Sequence, residues 1–487
     1  MLLSELRLEP RALALAVWSS ECVPELRLWH RLLKVVALLF LRLDDPTTRL
    51  PRAPRRGAQR FWDNPRVSAI SLLRSAQRPT FDALAAHPTV LVAHDTTEVN
   101  RTGPNEPDDA GPLRSNTARG YLVHSAVALT VDEHRPLGVL DTQVWTRSWK
   151  LKQQDHKHRP NHQRESIKWR RGIRRVAAEA RERKLPTTLI HLMDREGDVH
   201  ANFEFARRHK HLVVVRAAHD HRVRGSTGML WSTLQARPVA SEWSQSVRNE
   251  LSNDLRKQAR AAGRDELDAL EAAHKRAGPR REAQLQLRFA SVTLENTKKG
   301  KKAVEVAAIL VQEINAPAGS EAVEWMVLTT CEASNASQAR AVMKHYEARY
   351  GIEPVHRIWK SGLHLESETV ANVESFRRLM SVYVPLATQI ARWTYVSRET
   401  PRAPAAPHVA PRTLAILKEA CRFRKIALPR RAWTIEDLVL RLAQLGGYEP
   451  RPDRKPGWIV IWRGWRELQR FEAIFNFAKS SGKHDSS

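Results

Sequence analysis

Short apolar runs bounded by charged or turn residues recur along the chain, and their order predicts its elements. Val90–Ala93 reads as a strand that delivers Asp95, and two β-rich runs then flank the turn residues Asp132–Pro136, which predicts a hairpin. A basic helical stretch, Arg164–Arg183, precedes a second apolar run, Leu189–Met193, that delivers Asp194. Another helix-like stretch leads into a strand at Leu212–Val215. From about Arg222 the pattern changes to a charge-laced helical stretch, Arg248–Lys275, and alternating strands at Leu285–Leu294 and Val304–Ile314, which reads as an insertion. A strand around Trp325–Thr330 follows, and then a helix that either Asn335 or Ser337 would cap.

Three antiparallel strands, a crossover helix, a strand, a helix and a strand follow one another in the order of a ribonuclease-H-like core. The expected fold class is therefore α/β: a mixed five-stranded sheet with helices, interrupted by a β-rich insertion and flanked by helical N- and C-terminal regions. Two Pro-rich stretches, Thr47–Arg56 and Thr400–Arg412, are expected as linkers, because proline neither continues a helix nor donates to a ladder. Near the end, Trp462, Trp465, Leu468, Phe471 and Phe475 recur at helical spacing and form an apolar stripe.

Composition narrows the function. The chain has 487 residues, 42% hydrophobic and 27% charged, an ordinary globular balance that excludes collagen-like or wholly disordered readings. Its 80 Lys and Arg against 53 Asp and Glu give a formal charge of +27, and a surface of that kind attracts polyanions, nucleic acid foremost. Cys22, Cys331 and Cys421 are too few and too scattered for a disulfide framework or a thiolate zinc site. The longest aliphatic runs, Ala12–Trp18 and Val35–Leu41, fall far short of a membrane span.

The candidate chemistry lies in carboxylates. Asp95 and Asp194 each follow a buried-type strand, and strand ends are where open α/β sheets place reactive groups. Taken singly, an Asp in that position is more often a cap or turn residue. Residues 346–360 read YEARYGIEPVHRIWK, so Tyr346, Arg349, Glu353 and Lys360 stand at helix-face spacings, within an arc of roughly 60° on an unbroken helix. A salt-bridged surface helix is the bland alternative. Pro354 and Gly351 oppose an unbroken helix, and a junction at Glu353 would distort the arc. Three carboxylates suit a pair of hard cations about 4 Å apart, the arrangement that activates the attacking oxygen and stabilises the leaving oxygen in phosphodiester chemistry. Arginine and lysine beside them suit phosphate.

Tyr-x2-Arg-x3-Glu-x6-Lys resembles the signature of the IS-four family of DDE transposases. Phe61–Ala69 (FWDNPRVSA), His94–Thr97 (HDTT), Gly120–Ser125 (GYLVHS), Asp194–His200 (DREGDVH), Glu324–Thr330 (EWMVLTT), Leu445–Tyr448 (LGGY) and Trp462–Leu468 (WRGWREL) follow in the same order, over about residues 55–478. The resemblance implies Asp95, Asp194 and Glu353 as catalytic ligands of two Mg²⁺ ions, for which Mn²⁺ substitutes. It implies Tyr346, Arg349 and Lys360 on the transposon-end DNA, and Trp325 as a stacking platform for a flipped base. Arg216, after the strand LVVV, is a further candidate phosphate contact, and so is the loop Lys298–Lys302.

The implied reaction releases a 3′-OH at the element's end, passes through a hairpin and joins the hydroxyl to target DNA. Implied partners are double-stranded DNA, as transposon ends and target, and a second copy in a homodimer on that DNA, with no membrane; the implied location is cytoplasmic, on a bacterial nucleoid. The expected organisation is a helical end-binding region with a degenerate start (1–85), the catalytic domain (86–395) with its insertion at about 222–320, a linker (396–412) and a helical dimerisation region (413–487). Two rivals are a ribonuclease-H-like nuclease without strand transfer and a catalytically impaired DNA-binding derivative that acts as an inhibitor. The cluster His156, His158 and His162 invites a metal reading, but its neighbouring cations argue against it.

Overall fold

A computed structural model of the chain describes residues 10–41, 52–115, 117–149, 164–225, 228–276, 280–296, 302–451 and 455–481. The histidines of 156–162 and the loop Lys298–Lys302, except Lys302, lie outside those residues. The fold is mixed α/β, with ten strands among the described residues.

In chain order the elements are α1 (Pro10–Val17), α2 (Leu26–Leu41), α3 (Arg52–Trp62), α4 (Ala69–Leu84), β1 (Thr89–Asn100), β2 (Gly111–Pro112), β3 (Arg119–Leu129), β4 (Pro136–Trp145) and α5 (Ile167–Glu182). Then come β5 (Thr188–Met193), α6 (His200–Arg208), β6 (Leu212–Arg216), α7 (Leu230–Gln235), β7 (Ser241–Arg248), α8 (Asn253–Ala262), α9 (Arg264–Arg276), β8 (Arg280–Leu294), β9 (Val304–Ile314), β10 (Glu324–Thr329) and α10 (Ala336–Glu347). The chain ends in α11 (Ile352–Arg357), α12 (Val373–Glu399), α13 (Pro411–Phe423), α14 (Ile435–Leu445) and α15 (Trp458–Ser481). It divides into two compact units, the first formed by residues 1–188 and 350–487, the second by 189–349.

In the first unit β1 pairs antiparallel with β3, from Leu91↔Leu129 to Asn100↔Gly120, and β3 carries β2 and β4. Only Gly fits at position 120, since a Cβ there would stand 1.9 Å from the Val99 carbonyl oxygen. The helices share one core with this sheet. Leu-rich α2 contributes Trp29, Leu32, Val36 and Leu39, while Phe376, Met380 and Leu386 come from α12. The C-terminal stripe points the same way: Trp462, Trp465 and Leu468 are at most 1% exposed, buried in the chain's own core rather than presented outward. α15 reaches that depth by crossing α14 at glycines, where a Cβ on Gly464 would meet the Leu442 carbonyl oxygen at 1.5 Å. The motifs LGGY and WRGW thus meet at one helix crossing.

Thr47–Leu50 and Pro51 of the first proline-rich stretch lie outside the described residues; the rest of it and the whole of the second are ordered beyond what their composition predicts. Pro54 sits in the first turn of α3, where a missing N–H is harmless. Within 400–412, Ala405 donates its N–H to the Trp433 carbonyl, and Ala405 and Val409 are buried. An antiparallel bridge between Pro404 and Thr434, with Ile435 donating its N–H to the Ala403 carbonyl, joins this burial in ordering the segment.

In the second unit the sheet order is β5-β6-β10-β9-β8-β7. β5 and β6 are parallel, with α6 as the crossover between them, and the remaining pairs are antiparallel. The strands expected as an insertion therefore extend this unit's sheet, because β10 pairs along its whole length with β9. Among the described residues no helix is long and apolar enough to cross a membrane.

Candidate functional site

Asp95 lies in the middle of β1, not at its end as the apolar run suggested. β1 continues because Thr96, Thr97 and Val99 are β-formers and their backbones pair with β3 as far as Asn100. The Asp95 carboxylate is tied at both oxygens. Oδ1 accepts the Thr96 N–H at 2.8 Å, and Oδ2 stands 3.5 Å from His356 Nδ1. His356 belongs to α11, which packs against β1 and also carries Glu353. Residues three apart on a helix lie about 60° apart around it, so exposed Glu353 flanks the histidine that touches Asp95. Two of the three expected carboxylates thus belong to one strand and the helix packed on it.

The path into α11 corrects the expectation of an unbroken helix from Tyr346 to Lys360. α10 ends at Glu347, a 3₁₀ turn spans Ala348–Gly351, α11 begins at Ile352, and a π-helical turn spans Ile358–Gly362. Gly351 allows the chain to pass close to Leu129, whose Cδ1 would be 3.0 Å from an added Cβ. Pro354 falls in the first turn of α11, where it starts a helix rather than breaks one. The 60° arc is therefore lost. Tyr346 and Arg349, at the end of the second unit, are 2% and 9% exposed, whereas Lys360 in the π-turn is half-buried with its ammonium 6.0 Å from the Trp359 ring.

Behind Asp95 lies a buried polar chain that sequence reading missed. Thr96 Oγ1 is 2.9 Å from His124 Nδ1, and His124 Nε2 is 3.2 Å from His94 Nδ1. Both imidazoles are fully buried and their rings stack, with Trp169 edge-on to His124. Burial, reinforced for His94 by His124 and for His124 by Lys168 and His356, holds both well below the usual histidine range, so both are neutral. The available signal was the position of these histidines in HDTT and GYLVHS, on adjacent strands.

In the second unit Asp194 directly follows β5, as expected, and caps the 3₁₀ turn Arg195–Gly197 by accepting the Glu196 N–H at 2.9 Å. Asp198, four residues on, is the structural partner of that turn. Its buried carboxylate accepts the N–H groups of Ala218 and His219 at 2.7 and 2.9 Å and pairs with His221 at 2.7 Å, fixing the loop after β6. Arg216 is the last residue of β6, and its guanidinium donates to the Glu324 carbonyl at 3.2 Å. Trp325 is next in sequence, half-buried at the start of β10. Arg216 and Trp325 are thus brought to one end of the same strand pair.

No known protein-family model matches the chain.

Among the described residues no three His, Cys, Asp or Glu side chains stand together as a ready-made metal cage. The donor chemistry of Asp95 and Glu353 nonetheless fits a hard divalent cation: both offer carboxylate oxygens, and the His356 contact to Asp95 at 3.5 Å is loose enough to yield.

Proposed function

We propose that the chain is a transposase of the DDE type with a ribonuclease-H-like core, which cleaves the ends of a mobile element and joins the 3′-OH to target DNA. The observation that carries this reading is the juxtaposition of Asp95 on β1 with α11, the helix of Glu353, through the His356 contact. The formal charge of +27 supports a DNA substrate.

Asp95, Asp194 and Glu353 are the proposed holders of Mg²⁺, which would supply charge stabilisation to the attacking and leaving oxygens of phosphodiester transfer. The chain's own residues do the rest. Thr96 N–H and His356 fix the orientation of the Asp95 carboxylate. Lys360, in the turn after α11, offers a compact cation to a phosphate of the scissile strand. Trp325 offers a half-buried aromatic face to an unstacked base, with Arg216 adjacent to hold a phosphate. The partners follow from the same reading: double-stranded DNA and a second copy of the chain bound with it.

One observation favours a second reading. Tyr346 and Arg349, expected to touch the transposon end, are 2% and 9% exposed, which suits a chain that binds DNA without cleaving it. The deciding experiment is end cleavage and strand transfer on a duplex carrying the element's terminal repeats, with Mg²⁺ and without, for wild type, Asp95→Asn and Asp194→Ala. Loss of product in both variants with DNA binding retained is expected. Equal activity in all three proteins eliminates the proposed site, and binding without cleavage by the wild type selects the second reading.

A further inference from the structure

The sheet of the first unit sets two hydroxyls in line with Asp95. β1 pairs Asp95 with Ser125 of β3, and β3 pairs Ser125 with Thr142 of β4. Directly opposed residues of neighbouring strands project to the same face, so the three side chains form one row across the sheet. That face is the one on which Asp95 meets His356 of α11. His94, Thr96 and His124 are one residue out of step and project to the other face, where Trp169 lies edge-on to His124.

The ladder keeps the row tight. Arg101 donates its N–H to the Arg119 carbonyl, and alternation from there makes Asp95 and Ser125 a pair that exchanges backbone hydrogen bonds, with Cα atoms about 5.5 Å apart. Ser125 thus turns its backbone groups to β1, and its pair with Thr142 is of the closer kind, about 4.5 Å between Cα atoms. The Val144 carbonyl, two residues on, agrees with this, since it points away from β3 and accepts from Arg377.

Two members of the row are unsatisfied. Ser125 is fully buried and Thr142 half-buried, and neither Ser125 Oγ nor Thr142 Oγ1 has a hydrogen-bond partner among the described residues. The Asp95 carboxylate is held elsewhere: Oδ1 accepts from the Thr96 N–H at 2.8 Å, and Oδ2 stands 3.5 Å from His356, longer than a good hydrogen bond. Buried hydroxyls are ordinarily bonded, so two orphans in line with a carboxylate imply a second arrangement. One rotation at each χ1 provides it, with the Thr142 O–H donating to Ser125 Oγ and the Ser125 O–H donating to Asp95 Oδ2. Each hydroxyl then donates once, and the chain ends on the anion of the row.

We propose that Ser125 is a positioning residue for Asp95: it donates to the carboxylate when Asp95 carries a divalent cation and the His356 contact has yielded, with Thr142 donating to Ser125 from behind. Carboxylates that hold metals are themselves held by such donors, and losing one typically costs about 10- to 100-fold in metal affinity. The inference rests on the reading of Asp95 as a metal ligand and on no step of strand cleavage.

The test is Mn²⁺ binding by the full chain without DNA, followed through the EPR signal of the free ion, beside denaturant unfolding in EDTA. Asp95→Asn marks the site, as the binding that it abolishes. Ser125→Ala is expected to raise the Kd of that site about tenfold and Thr142→Val about threefold, while Ser125→Thr, which keeps the hydroxyl, stays within about twofold of wild type. In EDTA the Ala and Val variants are expected to unfold at the wild-type midpoint or above it, because the hydroxyls they remove have no partner in the cation-free protein. A purely structural serine gives the opposite pattern, a lowered midpoint with Mn²⁺ affinity intact, and that result overturns the proposal. Wild-type affinity in Ser125→Ala overturns it too and leaves Asp95 as a metal ligand. Absence of any Asp95-dependent Mn²⁺ binding in the wild type removes the metal reading of Asp95 itself, and the proposal with it.

Discussion

His356 Nδ1 lies 3.5 Å from Asp95 Oδ2, so a helix that begins at Ile352 and a strand that begins at Thr89 share one polar contact. The consequence is positional. Replacing His356 by Leu is expected to lower end cleavage about tenfold or more while leaving DNA binding intact, and His356→Gln, which keeps a polar atom near Asp95, is expected to recover part of the loss. Because an oxygen-only site tolerates Mn²⁺ with looser geometry than Mg²⁺, the Mn²⁺/Mg²⁺ activity ratio should rise in the Leu variant. Unchanged activity and ratio in both variants would remove the positioning role.

The buried pair His94 and His124 should stay neutral through the physiological range. With ¹³C-labelled histidine, their ring resonances are expected not to shift between pH 5 and 8, since burial, reinforced by neighbouring positive charge, opposes protonation. The unfolded chain binds those protons and the folded chain does not, so stability falls as pH drops through about 6.5. A resonance of either residue titrating near 6.5 contradicts the buried, uncharged pair.

Asp141 shifts stability in the other direction. Burial raises its carboxyl to about 6 despite Arg175 beside it, so the folded state holds the proton more tightly than the unfolded state. Its effect on stability is nil below about pH 4 and grows more unfavourable as pH rises through 6. Asp141→Asn should therefore gain on the wild type between pH 4 and 7 by about 2–3 kcal/mol, measured by denaturant unfolding at the two pH values. A gap that does not widen with pH refutes this.

Asp198 should matter for stability more than its neighbours on the surface. Asp198→Ala leaves the part-buried N–H groups of Ala218 and His219 without their acceptor, at about 0.5–1.5 kcal/mol each. A total loss of about 1–3 kcal/mol is expected, with His221→Ala costing less because the backbone bonds survive. Denaturant unfolding that finds less than about 1 kcal/mol for Asp198→Ala would show that the loop is held by something else.

Gly464→Ala tests the α14–α15 crossing. The new Cβ would meet the Leu442 carbonyl at 1.5 Å, and backbone cannot yield as a side chain can. Destabilisation of about 3 kcal/mol or more is expected, read as a drop in denaturant midpoint, and a neutral substitution would disprove the tight crossing.

Much of the local architecture was legible from the chain. The run ending at Met193 put Asp194 directly after β5. Asn335, one of two candidate caps, caps α10 by accepting the Gln338 N–H at 3.0 Å. The crossover helix within Arg164–Arg183 is α5. These features depend on neighbours a few residues apart: apolar period, capping side chains and the backbone preferences of single residues.

Other features were not legible, for one reason. The continuation of β1 past Asp95 depends on β3, pairing with residues about 20 to 40 positions away. The break before Glu353 was foreseeable from Gly351 and Pro354, but that the resumed helix would set His356 against Asp95 was not. The apolar stripe of α15 had to face either this chain's core or another surface, and periodicity is the same for both.

Sequence by itself therefore determined the mixed α/β class, much of the succession of elements and the chain's strong excess of basic residues, and it named candidates for the chemistry. Tertiary structure alone decided which of them meet. It buried Trp462 and Trp465, linked His124 to His94, and set His356 against Asp95. The physical reason is that periodicity and capping act over one or two turns of chain, whereas burial, desolvation and close contact are properties of surfaces brought together from hundreds of residues apart.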